Sequence, residues 1–285
     1  MPAPDVIDVQ FRDTPVTFGA YKNHILAEGD SWFAWSQLVA KPSANLLRKL
    51  VFADKTVIVN CAYSGDIIAT MSKFATDPLF FNEMKAARYD AILLSGGGND
   101  LIDALQTRGN RPGIIHRNAG GDAGDPASYV NPQALTDLMG VIADSYDRIV
   151  KFRDSTGGGE LGNAGTPIVL HTYDYPTARN APAHVFGFGS VGPWLIKALT
   201  AAAVPPAMYD PITRLIYNRL AATLTGLAST ANKVYVVPTC GTLVPAAAGT
   251  SALSGGWLNE IHPSDDGYGL LSAKIGAQLH ALGLN

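Results

Sequence analysis

The chain has 285 residues, 47% of them apolar and 16% charged, with a formal net charge of -3. That length and apolar content suffice to bury a core and exclude a disordered chain. No basic stripe is present to neutralise phosphates, which argues against a general nucleic-acid binder.

The chain opens with Met1-Pro-Ala-Pro-Asp-Val-Ile-Asp8, which has neither a basic leader region nor an apolar segment after it. No apolar run reaches the roughly 18 residues of a membrane span. These features set the expectation of a soluble, cytoplasmic protein. Five short strands are predicted: His24–Glu28, Lys55–Asn60, Tyr89–Ser95, Pro167–Thr172 and Lys233–Val237. Most are unbroken apolar runs rather than alternating ones, the pattern of parallel strands covered on both faces. Helices are predicted between and after them, over Trp35–Leu50, Asp66–Phe74, Leu79–Ala87, Pro132–Asp154, Pro193–Ala203, Asp210–Ala231 and Ser264–Leu282. In Pro132–Asp154 the residues Leu135, Leu138, Met139, Ile142, Ile149 and Val150 share one helical stripe, with Asn131 as N-cap and Pro132 in the first turn. Alternation of strand and helix implies an α/β fold, a three-layer α/β/α sandwich around a five-stranded parallel sheet. No internal repeat or linker divides the chain, so one domain over residues 1–285 is expected. Three long loops are expected, over Gly109–Asn131, Tyr173–Gly192 and Pro238–Gly256. Cys61 and Cys240 are too few and too far apart for a disulfide scaffold and read as small buried thiols.

In an open parallel sheet, ligands bind beyond the carboxyl ends of the strands. Strand one ends in Glu28-Gly-Asp-Ser-Trp-Phe33, so Ser31 is a candidate nucleophile or, alternatively, an N-cap. Strand two ends in Cys61-Ala-Tyr-Ser-Gly65-Asp66, where Gly65 lets backbone approach a ligand and offer its N–H, or serves only as a turn. Strand three ends in Ser95-Gly-Gly-Gly-Asn99-Asp100, which presents the Asn99 amide to the cleft or uses it as a turn former. Before the last helix stands Asn259-Glu-Ile-His262-Pro263, and a neutral imidazole there is a natural general base.

Taken together and in this order, Gly29-Asp30-Ser31, Gly65, Gly98-Asn99-Asp100 and His262-Pro263 resemble the SGNH (GDSL-type) hydrolase superfamily, in a variant that reads Gly-Asp-Ser-Trp-Phe. The resemblance runs from about residue 24 to residue 280. It implies a flavodoxin-like fold and a serine esterase that forms a covalent acyl-enzyme. By that resemblance Ser31 is the nucleophile and His262 the base. Ser31, Gly65 and Asn99 would form the oxyanion hole, while Asp30 and Asp100 would fix loop backbone. Trp32, Phe33, Tyr173 and Tyr175 are candidates for the substrate pocket. The family's carboxylate three residues before the His is here Asn259. Three orienting groups therefore stand open: Asn259 itself, a carbonyl from Trp257–Asn259, or Glu260. A catalytically weak or inactive binding protein for a carbohydrate or lipid ester is the alternative.

Gly187-Phe-Gly-Ser-Val-Gly192 matches GxGxxG, but it precedes Pro193 and does not open an early βαβ unit. A zinc spacing, a phosphate loop and a GxSxG elbow are all missing, and His24, His116, His171, His184 and His280 lack metal-like spacing. His171, ending strand four, is the one of these within reach of the cleft. No cofactor and no metal is expected. The expected partner is a small-molecule or acylated ester substrate, and the oligomeric state is not legible.

Overall fold

The computed structural model describes residues 2–12, 14, 16–34, 44–185 and 189–285. The strands are β1 (Asp5–Asp8), β2 (Asn23–Gly29), β3 (Thr56–Asn60), β4 (Ala91–Ser95), β5 (Ile168–His171), β6 (Ala183–Val185), β7 (Gly189–Val191) and β8 (Val234–Val237). The α-helices are α1 (Ser31–Ala34), α2 (Ile68–Met71), α3 (Pro78–Ala86), α4 (Gly98–Ala104), α5 (Pro132–Ser155), α6 (Leu195–Ala201), α7 (Tyr209–Thr225) and α8 (Asp265–Ala281). Six strands pair in parallel in the order β1-β3-β2-β4-β5-β8. Every residue of β3 and β4 is buried, so both faces of the sheet centre are covered. On this framework the chain leaves β2 toward β3 and then crosses back to β4. The ends of β2 and β4 thus flank the crevice where the winding direction reverses, the favoured binding place in such sheets.

The five expected strands are β2, β3, β4, β5 and β8. The sixth, β1, is a correction to the expected count: it pairs with β3 with Val6 opposite Ile58. It is a half-exposed four-residue edge strand, too short for a periodic signal. A second correction lies within the expected loop Tyr173–Gly192, where β6 and β7 form an antiparallel hairpin. The GxGxxG segment falls partly on residues 187–188, outside the described residues. Its described part is strand β7 rather than a helix start.

Helix α5 begins where the caps require it. Asn131 Oδ1 accepts from the Ala134 N–H at 3.1 Å and Pro132 occupies the first turn. Its stripe of Leu135, Leu138, Met139, Ile142, Tyr146 and Ile149 is buried. Each such side chain contributes about 1.5–3 kcal/mol, so burial outweighs a cap worth about 1 kcal/mol. This helix packs against α2, α4 and α7, while α8 packs on β5 and β8. The helix expected over Asp66–Phe74 shrinks to α2, because Asp100 Oδ2 takes the Ile68 N–H at 2.8 Å and sets its start there. Most of the helix expected over Trp35–Leu50 lies on residues 35–43, outside the described residues. Its described end holds a single 3-10 turn, Leu47–Lys49, pinned by Asn45 Oδ1 accepting from the Arg48 N–H at 2.9 Å. Among the described residues, no helix is long and apolar enough to cross a membrane, and both cysteines are free thiols.

Candidate active site

Ser31 opens the helical turn that follows β2, and its position is held from below. Gly29 lies so close to β4 that a Cβ there would sit 2.8 Å from the Ser95 Cβ and carbonyl oxygen, so this position excludes a side chain. Asp30 Oδ1 accepts from the Trp32 N–H at 3.0 Å, which fixes the turn carrying Ser31. His262 arrives from the far end of the chain. It precedes α8, whose N-cap Ser264 accepts from the Gly267 N–H at 3.0 Å. These two anchors bring His262 Nε2 within 2.8 Å of Ser31 Oγ, across 231 positions of sequence. Ser31 and His262 are 7% and 2% exposed.

Asn259 sits behind the imidazole. Its Oδ1 lies 3.0 Å from His262 Nδ1 and also accepts from the Ile261 and His262 backbone N–H groups at 3.1 and 2.9 Å. Only an oxygen can accept two backbone donors, so this pair fixes which way the amide points. The Asn259 oxygen carries no hydrogen, so His262 Nδ1 must donate. Burial pushes the His262 pKa down to about 3, which keeps the ring neutral. Nε2 is then bare and accepts the Ser31 hydroxyl hydrogen.

Glu260, a possible orienting group by sequence, is turned elsewhere. Its carboxylate accepts from the N–H groups of Leu195 and Ile196 at 2.9 Å each, from Arg179 at 3.2 Å, and from Trp194. It caps the start of α6 and makes no bond to His262. Burial raises its pKa, while these backbone donors pull the other way. The carbonyls of Trp257 and Asn259 are committed as well, to the Arg179 guanidinium at 3.4 and 2.8 Å. Buried Arg179 thereby ties the long loop after β5 to the loop that carries His262. Glu260→Gln is expected to lower stability by about 1–3 kcal/mol, because an amide nitrogen would meet backbone donors, and to change kcat by less than about tenfold. Paired denaturation curves and ester kinetics check this, and a collapse of kcat in the folded variant would return Glu260 to the site.

A second polar chain lies under the nucleophile turn. Asp30 Oδ2 accepts from the Tyr173 hydroxyl at 2.6 Å, and its Oδ1 also accepts from Ser95 Oγ at 3.0 Å. His171 Nε2 is 3.0 Å from Ser95 Oγ, and His171 Nδ1 accepts from the Tyr173 N–H at 3.2 Å. Nδ1 is thus the bare nitrogen, and Nε2–H donates to Ser95. Burial pushes His171 down to about 3 and Asp30 up to about 6, the latter against its three hydrogen bonds. Tyr173 holds a left-handed φ of 58° with its ring against Gly98, where a Cβ would meet Tyr173 at 2.8 Å. Sequence reasoning named Tyr173 only as a pocket wall and did not single out Ser95. The available signal was position: Asp30, Ser95 and His171 all lie at the carboxyl ends of β2, β4 and β5.

Ser31, Trp32, Asn99 and Tyr173 line a cavity of about 20 Å³ with Ile102 and Tyr217. One Asn99 amide hydrogen bonds the Asp66 carbonyl at 2.9 Å, and a primary amide has a second. Gly65 has φ of 94° with open space where a side chain would stand. Trp32 stacks on His171 with ring centroids 5.4 Å apart and donates through Nε1 to the Ile261 carbonyl at 3.2 Å. Two expected pocket residues are corrected. Phe33 is 1% exposed and belongs to the core, because the turn after Ser31 sends it inward. Tyr175 faces α7, bonding Asn218 through its hydroxyl with Arg214 over its ring at 5.0 Å.

No family model matches the chain, and neither does any curated protein. Among solved structures, the lipase Lip_vut3 from a goat rumen metagenome aligns over 93% of this chain and 99% of its own, at 15% identity and a TM-score of 0.56. The chain has the fold of that lipase. This is the α/β fold that the resemblance in the sequence implied, enlarged by one edge strand. Weaker overlaps include the M. smegmatis aryl esterase, with 12% identity, coverage of 91% of this chain and 99% of that one, and a TM-score of 0.44. They also include a catalytic mutant of the acetylxylan esterase Axe2 from Geobacillus stearothermophilus, with 14% identity, coverage of 93% and 95%, and a TM-score of 0.45.

Proposed function

We propose that the chain is a serine ester hydrolase of the SGNH (GDSL) type that works through a covalent acyl-enzyme on Ser31. The observation that carries this reading is the aligned series Asn259 Oδ1, His262 Nδ1, His262 Nε2 and Ser31 Oγ, with contacts of 3.0 and 2.8 Å. As Ser31 Oγ forms its bond to the ester carbonyl carbon, His262 Nε2 takes the hydroxyl proton. The carbonyl oxygen becomes an oxyanion, received by the Ser31 and Gly65 N–H groups and the second Asn99 amide hydrogen. The tetrahedral centre then collapses, and His262 gives its proton to the departing alcohol. Water repeats the sequence to release the acid. Asn259 holds the tautomer through all four steps, as Asn does beside His in papain-like sites, but adds no charge to steady the imidazolium. The Asp30–Ser95–Tyr173 bonds hold the nucleophile turn rigid.

The uncharged Asn259 also favours a second reading, a weak or inactive binding member for a carbohydrate or lipid ester. A fluorophosphonate probe separates the two. Labelling mapped to Ser31, with turnover of nitrophenyl esters, is the expected result, whereas an unlabelled protein that binds esters without turnover would select the binding reading.

Asn99→Ala is expected to lower kcat by about 10²–10³ with little change in KM, because its donor meets charge that appears only in the transition state. Steady-state kinetics on one ester suffices, since a raised KM at constant kcat would make Asn99 a ground-state contact.

A further inference from the structure

The cavity of about 20 Å³ that Ser31 and Asn99 border has room for about one water-sized group. Much of its wall is apolar, from Trp32, Ile102, Pro176, Trp257 and Ile261. The polar atoms of the wall are largely committed. Ser31 Oγ meets His262 Nε2, and the Tyr173 hydroxyl donates to Asp30. The Asp174 carboxylate accepts from the N–H groups of Tyr175, Gly241, Thr242 and Leu243. One Asn99 amide hydrogen goes to the Asp66 carbonyl, and the other is assigned to the oxyanion.

Tyr217 differs from these. It comes from α7, borders the same cavity and is 4% exposed, yet its hydroxyl makes no hydrogen bond to any described residue. Burial pushes its pKa up, so the phenol keeps its hydrogen and remains a donor. Trp257, in the same wall, is 1% exposed, and its buried Nε1–H also lacks a partner among the described residues. Buried polar groups are nearly always paired, so donors left open in the wall of a reaction cavity point to an atom of the ligand that accepts them. An oxygen has the lone pairs to do so. A methyl group of similar size has none, and in that space it would strip the phenol of water without replacing the bond.

The part of an ester that brings this oxygen follows from the three groups on the carbonyl carbon. The carbonyl oxygen goes to Asn99 and the backbone donors. The leaving oxygen goes to His262 Nε2, and His262 is not among the residues that line the cavity. The acyl group is the one that remains. With room for about one group, the cavity takes a substituent on the carbon next to the carbonyl.

Resting on the esterase reading above, we propose that Tyr217 is a specificity-determining residue whose hydroxyl donates to an oxygen on the acyl carbon next to the scissile carbonyl, so that the preferred substrate is a 2-hydroxyacyl or 2-oxoacyl ester. The test compares methyl glycolate with methyl propionate, which differ by a hydroxyl in place of a methyl group, in the wild type and in Tyr217→Phe. Each kcat/KM is divided by the ester's rate with hydroxide, which removes intrinsic reactivity. The wild type is expected to favour glycolate at least about tenfold, and Tyr217→Phe to shrink that ratio at least about fivefold by losing glycolate turnover and keeping propionate turnover. A tyrosine with a merely structural role would change both esters alike. Because the variant removes one oxygen that bonds no described residue, its Tm is expected to hold. A wild type that turns over propionate as well as glycolate overturns the proposal, whatever the variant does. A folded Tyr217→Phe with an unchanged ratio overturns it too. Either result with Ser31 still labelled by a fluorophosphonate leaves the esterase reading standing. Absence of both labelling and turnover overturns the esterase reading and this inference with it.

Discussion

Ser31→Ala is expected to abolish ester turnover and fluorophosphonate labelling together, with a loss of at least about a thousandfold in kcat/KM. The substitution removes one hydroxyl whose structural bond is to His262 Nε2 at 2.8 Å. It leaves Gly29, Asp30 and the Trp32 N–H contact that shape the turn. Stability should therefore fall by no more than about 1–3 kcal/mol, the cost of one buried nitrogen left without a donor. Unfolding followed by circular dichroism, run beside kinetics on the same sample, separates loss of chemistry from loss of fold. A folded Ser31→Ala protein with near-normal turnover would remove Ser31 as nucleophile and take the proposed mechanism with it.

The second large effect concerns Asn259. Asn259→Ala removes the acceptor that holds the His262 tautomer and two backbone N–H groups at once, so kcat should fall at least about a hundredfold, toward the roughly 10⁴ that a wrong tautomer costs in the trypsin-type template. Asn259→Asp tests the same contact by charge. A carboxylate beside Nδ1 favours the imidazolium, so it raises the His262 pKa from its depressed value. The direction of the pH effect follows. His262 must be neutral to accept the serine proton, and burial lowers its pKa to about 3, so in the wild type the neutral ring persists well below the ordinary value of about 6.5. The acid limb of kcat/KM that belongs to His262 should accordingly lie far below 6.5 in the wild type and move upward in Asn259→Asp. Asp30, raised to about 6, can add its own inflection, and Asp30→Asn would remove it. A wild-type limb at 6.5 that survives in Asp30→Asn would show an ordinary, solvated histidine and refute the depressed pKa.

Local chemistry made much of the fold legible. Unbroken apolar runs marked β2, β3, β4, β5 and β8 because parallel strands need two hydrophobic faces. Asn131-Pro132 marked the start of α5 because capping acts within one turn. The edge strand β1 escaped because four half-exposed residues carry no pattern. The helix expected over Asp66–Phe74 was too long because its start is set by Asp100, 32 positions away.

The same divide runs through the candidate site. Sequence by itself determined the inventory: a serine and an asparagine after glycine turns, a histidine before a capped helix, and an asparagine where a carboxylate was expected. Those readings rest on residue type and short spacing, which the linear chain contains. Tertiary structure decided among the orienting groups and pocket walls. Asn259 and Glu260 are neighbours in sequence, yet one faces the imidazole and the other is drawn away by four backbone donors from Arg179 and the start of α6. Phe33 and Trp32 are neighbours too, yet only Trp32 borders the cavity. The Asp30–Ser95–His171–Tyr173 bonds span up to 143 positions. Hydrogen bonds of that reach exist only once the sheet has set β2, β4 and β5 side by side, because no local rule says which strand ends will share a crevice.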